Sequence, residues 1–123
     1  EDYDAYITVE VENEQPTGTL IVDKSVAIRE NVDTSLVDIS DLSKIEFKLT
    51  AKEDIIDMAD GSVIYEKGQE VKTFNVDKDG NYTIKDLPIG SYELKEIKTL
   101  DGLVLDETIY DIVFTQEDLT TKV

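Results

Sequence analysis

Apolar and polar residues alternate with a period of two through most of this chain, the pattern of strands with one buried face. Ile7, Val9, Val11 and Asn13 share one face of a first run, with Thr8, Glu10 and Glu12 on the other. Glu14 to Gly18 breaks that run with Pro16 and Gly18, a joint between strands. From Thr19 alternation resumes, with Leu20, Val22, Lys24 and Val26 on one side. Residues 27–43 have no sustained period and read as an ordered excursion with one helical turn. Ile45, Phe47, Leu49 and Ala51 form the best core stripe in the sequence. One or two helical turns are expected over Glu53 to Ala59, then short strands at Ser62 to Tyr65 and Val71 to Val76.

Asp79-Gly80-Asn81 supplies the positive-φ tolerance of a tight reversal, and Pro88 and Gly90 mark a second one. The strand after it puts Tyr92, Leu94 and Glu96 on one face. A last clear strand covers Thr108 to Thr115, and Gln116 to Lys122 reads as a polar ending. About seven or eight short strands, with at most one or two short helical turns, predict an all-β fold: an antiparallel Greek-key β-sandwich.

Composition narrows the chemistry. The 123 residues are enough for one domain with a hydrophobic core. There is no Cys and no His, which removes disulfides, thiolate chemistry, the commonest general base and the usual transition-metal ligands. A formal charge of −17 repels polyanions, so neither nucleic acid nor an anionic membrane surface is an expected partner. No apolar run reaches the length of a membrane span, and the first residues lack the basic and apolar regions of a signal peptide. Composition alone is compatible with a cytoplasmic chain or with a piece of a longer exported one. Asp77-Lys78-Asp79-Gly80-Asn81 has the opening of a calcium loop, but position twelve of that register is Pro88, so it is a hairpin turn. Asp54, Asp57 and Asp60 read as a solvated acidic turn. No cofactor or metal site is nominated.

Three polar residues fall on faces that alternation assigns to the interior: Lys24, Glu96 and Asn13. Each has an ordinary explanation, because strand ends lie near solvent and Lys can extend its head to water. Together they describe a reaction. Desolvation of a Lys beside a Glu favours the neutral pair, amine and protonated acid. The amine can attack an Asn carboxamide while the acid polarises the carbonyl and passes protons to the departing ammonia. The product is a Lys-to-Asn isopeptide cross-link, formed once.

The run Asp79-Gly-Asn-Tyr-Thr-Ile-Lys-Asp-Leu-Pro-Ile-Gly-Ser-Tyr-Glu-Leu-Lys-Glu96 resembles the signature hairpin of Cna B-type domains, also called SpaA-like or prealbumin-like domains. Gly18-Thr-Leu-Ile-Val-Asp-Lys24 is similar to their first strand, and the likeness runs from about Gly18 to Thr115. Two departures stand out. The Thr-x-Ala-Pro-x-Gly-Tyr pattern that commonly follows the family's Glu keeps only its Gly, as Gly102. The family's acceptor lies on a strand after that Glu, whereas this sequence has no Asn beyond Asn81.

The resemblance implies a structural stalk or spacer module of a Gram-positive surface adhesin or pilin, extracellular and attached to the cell wall. Its partners would be the neighbouring domains of the same surface protein. It implies no enzyme beyond single-turnover isopeptide formation, with Lys24 as amine donor and Glu96 as general acid/base. Residues 1–17 resemble the closing strand of a preceding domain, with Asn13 in the acceptor position, and 18–123 the domain proper, whose own last strand is left open. Strand donation of residues 7–13 between molecules would bring Asn13 to Lys24 of a neighbour. The alternative is a flexible or locally paired tail and no bond. A competing function is a ligand-binding adhesin domain presenting loops 27–43 or 97–107 to a host molecule. Neither stretch holds a Tyr, Phe or Trp, which favours the spacer.

Overall fold

The computed structural model describes residues 17–26, 40–103, 105–116 and 119–123. Nine strands and no helix occur among them: β1 (Thr17–Asp23), β2 (Glu46–Ala51), β3 (Ile55–Ile56), β4 (Val63–Tyr65), β5 (Glu70–Asn75), β6 (Asn81–Pro88), β7 (Gly90–Lys98), β8 (Ile109–Phe114) and β9 (Thr120–Lys122). They form a three-stranded sheet ordered β6-β1-β9, a four-stranded sheet ordered β5-β2-β7-β8, and the small β3-β4 ribbon. All pairs are antiparallel except β1 with β9, which run parallel.

Alternation carries through to packing. Leu20 and Val22 of β1, Phe47, Leu49 and Ala51 of β2, Tyr92 and Leu94 of β7, and Ile112 and Phe114 of β8 are all buried. They belong to one hydrophobic cluster that also includes Phe74, Ile84 and Leu87. Aromatic rings join the sheets: Phe74 of β5 stacks on Tyr82 of β6 with centroids 4.3 Å apart, and Phe47 of β2 lies 5.8 Å from Phe74. Burying a large apolar side chain contributes about 1.5–3 kcal/mol, so these inward rows dominate the stability.

β1 is the middle strand of its sheet. β6 pairs along it with a register shift between Gly18 and Leu20. The extra residue lies on β6, where Asp86 takes a left-handed φ of 63° that a short polar side chain tolerates. On the other side Thr19, Leu20 and Ile21 face Thr120, Thr121 and Lys122, and the Asp23 amide donates to the Val123 carbonyl. The polar ending expected over residues 116–122 is therefore partly strand. Its side chains gave no apolar alternation, and the backbone of β1 selects it.

The helical turns expected over residues 53–59 do not form. Ile55 and Ile56 are β-branched and pair with Tyr65 and Val63, while the Asp57 carboxylate accepts the Ala59 amide in a local turn. The excursion at 27–43 falls largely outside the described residues, as do Asn13 and the run 7–13.

The turn from β5 to β6 fixes the end of β1. The Asp77 carboxylate accepts the amides of Asp79 and Asn81, and Gly80 turns with φ 90°. The Gly80 carbonyl then accepts the Lys24 amide at 2.7 Å. A Cβ on Gly80 would collide with the Lys24 carbonyl, whereas Gly68, at φ 87°, has nothing within 4 Å of that position. Gly80→Ala should cost about 3 kcal/mol in urea denaturation, against about 1 kcal/mol for Gly68→Ala, because only the first adds a backbone collision to the φ strain.

Candidate functional site

Lys24 directly follows β1, on the side where Leu20 and Val22 point inward. Glu96 lies in β7 two residues after Leu94, opposite Phe47 of β2. The two sheets therefore bring them together from opposite layers. Lys24 Nζ is 3.0 Å from Glu96 Oε1, with the Glu96 side chain 1 % exposed and that of Lys24 20 %. Glu96 Oε1 accepts no hydrogen bond of ordinary geometry among the described residues, so the ion pair is its contact.

Asp106, from the segment joining β7 to β8, completes the group. Its backbone amide donates to Glu96 Oε2 at 3.0 Å, and its Oδ2 lies 3.8 Å from Lys24 Nζ. The Asp106 carboxylate accepts the Thr108 amide on Oδ1 at 3.0 Å and the Tyr110 hydroxyl on Oδ2 at 2.9 Å. The Thr108 hydrogen bonds come first among the causes that lower its pKa to about 2; the Tyr110 hydroxyl and the Lys24 charge add to them against a burial cost. Tyr110 is pushed up by burial and by its hydrogen bond to Asp106, with the charges of Asp106 and Glu96 adding. No group of three or more metal-ligating side chains occurs among the described residues.

A partly buried amine beside a buried acid, with a second carboxylate at the rim, is an arrangement for acyl transfer to nitrogen once a carbonyl acceptor is within reach. Comparison with known proteins gives this geometry a context. Residues 32–123 match the SpaA prealbumin-like fold domain. The chain belongs to that family. Among solved structures it is similar to BcpA, the major pilin subunit of Bacillus cereus, at 21 % identity and TM-score 0.55, covering 88 % of this chain and 29 % of that one. A variant of that pilin matches at 21 % identity and TM-score 0.54, covering 86 % and 28 %. The group B streptococcus pilus 2b backbone protein matches at 20 % identity and TM-score 0.53, covering 87 % and 39 %. These likenesses concern the fold, and the chain spans well under half the length of each. No curated protein matches the chain.

In this SpaA-type domain Lys24 and Glu96, both named from strand alternation, stand in contact. Asn13 lies outside the described residues. Asp106, Thr108 and Tyr110 carried no warning as site residues. Tyr110 alternates with Ile112 and Phe114 as an ordinary inward residue, and Asp106 is one of 29 acidic residues. The signal available was that Asp106 precedes the inward-facing Tyr110 by four residues, which becomes informative only when the segment folds over Glu96.

Two outcomes follow from these contacts. Removing Lys24 strands a carboxylate that is almost wholly buried, so Lys24→Met should destabilise the domain by about 3–5 kcal/mol in urea denaturation at neutral pH. Lys52→Met, which breaks the exposed Lys52–Asp111 pair, should leave the midpoint nearly unchanged. Asp106 titrates below its ordinary value of 3.8, so its contribution is complete above that pH and is lost as pH falls through about 2. The stability gap between the wild type and Asp106→Asn should narrow as unfolding is followed from pH about 5 down to pH about 2.

Proposed function

We propose that this SpaA-type domain is a structural stalk or spacer module of a Gram-positive surface pilin or adhesin, and that Lys24 and Glu96 are the donor half of an isopeptide site. The observation that carries this reading is the 3.0 Å Lys24–Glu96 pair, held between the two sheets at the end of β1. Such a pair is costly to bury and brings little net stability, so a role in bond formation gives it a reason. Extracellular location and linkage to further domains of the same protein belong to this proposal, supported by the pilin proteins it resembles.

The chemistry balances with the residues at hand and an Asn acceptor. Lys24 Nζ, once it has given up its proton, attacks the carboxamide carbon; the new N–C bond forms as the carbon loses ammonia, and Glu96 relays protons from Nζ to the leaving group. Parallel pairing of β1 with β9 indicates the direction of approach. β9 lies beside β1 as far as the Asp23–Val123 hydrogen bond, and a strand on that side reaching one step further lies against Lys24. Asn13 of another molecule, carried by residues 7–13, is the acceptor proposed, and because β9 already fills that edge of β1 the incoming segment has to displace β9 or reach Lys24 past Val123. A covalent tie there would carry pulling force past the hydrophobic core. Ligand display by residues 97–107 gains less support, because the Asp106 amide and carboxylate are already engaged with Glu96, Thr108 and Tyr110.

Intact mass of the chain under denaturing conditions tests the reading, alongside Lys24→Ala, Glu96→Ala and Asn13→Ala. Covalent ladders that vanish in all three variants are the expected result. A monomer short by one ammonia would place the bond within a single molecule. Unmodified monomer as the only species would exclude self-cross-linking by these residues.

A further inference from the structure

We propose that Asp106 guards the Lys24 amine: its carboxylate holds Lys24 until an acceptor displaces it, while its backbone amide keeps Glu96 aimed at the same nitrogen. The guarding role stands on contacts alone, and the displacement step rests on the isopeptide reading above.

Asp106 acts through two separate groups. The backbone amide donates to Glu96 Oε2, which leaves Oε1 facing Lys24 Nζ. This bond survives replacement of the side chain. The carboxylate is braced by the Thr108 amide and the Tyr110 hydroxyl, so its position is set independently of Lys24. It presents Oδ2 at 3.8 Å from Nζ, outside direct hydrogen-bond range but well within electrostatic reach. Lys24 therefore lies between two carboxylates of different standing. Glu96 is sealed in the core, whereas the Asp106 side chain is 33 % exposed. Asp106 is the partner that an arriving group can replace without uncovering Glu96. Nζ faces two carboxylates, so an acylating group must compete with both for the nitrogen before it can reach it. Before an acceptor arrives, the second carboxylate protects Lys24 from unwanted acylation.

Acylation of the folded chain by N-hydroxysuccinimidyl acetate, mapped by peptide mass spectrometry, measures this directly. Lys48 and Lys95, which face each other across β2 and β7, serve as internal references. Asp106→Asn should raise the Lys24 rate about fivefold, the effect of removing one charge about 4 Å away in a largely solvent-screened setting, with the references unchanged. Asp106→Glu should restore most of the protection, and Tyr110→Phe, which frees Oδ2 but keeps the charge, should fall between. An unchanged Lys24 rate in Asp106→Asn, or an equal rise at the references, overturns the proposal. So does loss of one water from the wild type mapped to a Lys24–Asp106 amide, which would make Asp106 the acceptor.

A second arm adds a synthetic peptide of residues 7–13 and measures covalent adduct, in which ammonia leaves as the Nζ–C bond forms. Faster adduct formation in Asp106→Asn supports displacement, and slower formation than in the wild type overturns it. No adduct with any variant, alongside the fivefold acylation change, removes the Asn13 acceptor reading and the displacement step and upholds Asp106 as guard.

Discussion

Glu96 imposes the central constraint on this domain. Its row in β7 begins with Tyr92 and Leu94, both fully buried, and continues with a carboxylate whose side chain is 1 % exposed. A charge in that position cannot be hydrated, so the fold must supply a cation and hydrogen bonds from its own parts. Lys24 provides the first from the opposite sheet, and the Asp106 backbone amide provides one of the second. The end of β1, the β5-to-β6 turn that binds the Lys24 amide, and the segment before β8 are all tied to one carboxylate.

The two-sheet core makes that arrangement rigid. β1 is paired on both sides, which fixes the strand leading into Lys24, while β7 lies between β2 and β8. Phe47, Phe74 and Tyr82 stack across the layers and limit sliding of one sheet on the other. A stiff frame suits both parts of the proposed function. On that proposal it would transmit force along strands and keep Lys24 and Glu96 together for a bond that need form only once.

Much of the fold was legible from side-chain alternation. The core stripe of β2 and the inward rows of β7 and β8 are where period-two reasoning placed them; β6 and β7 are both strands, but instead of pairing as the expected hairpin they pass from one sheet to the other at Pro88 to Gly90. Reasoning failed where side chains do not decide. β3 lies in a stretch expected to hold one or two helical turns, yet Ile55 and Ile56 pair with β4 and the carboxylates of Asp57 and Asp60 accept local amides in tight turns. β9 has too few apolar residues to show a period, and pairing with the exposed backbone of β1 creates it. The site divided in the same way. Lys24 and Glu96 stood out because each interrupts an apolar row, whereas Asp106 interrupts nothing.

The sequence by itself determined the all-β class, the main strands, and the two charged residues forced to face inward. Those properties are local, since alternation and turn chemistry act within a few residues. Tertiary structure alone decided that Lys24 and Glu96 meet, that β9 runs parallel beside β1, and that Asp106 folds over the pair. Each of these depends on which strands become neighbours and at what register, and backbone pairing between distant segments leaves no periodic mark in the side chains that a linear reading could follow.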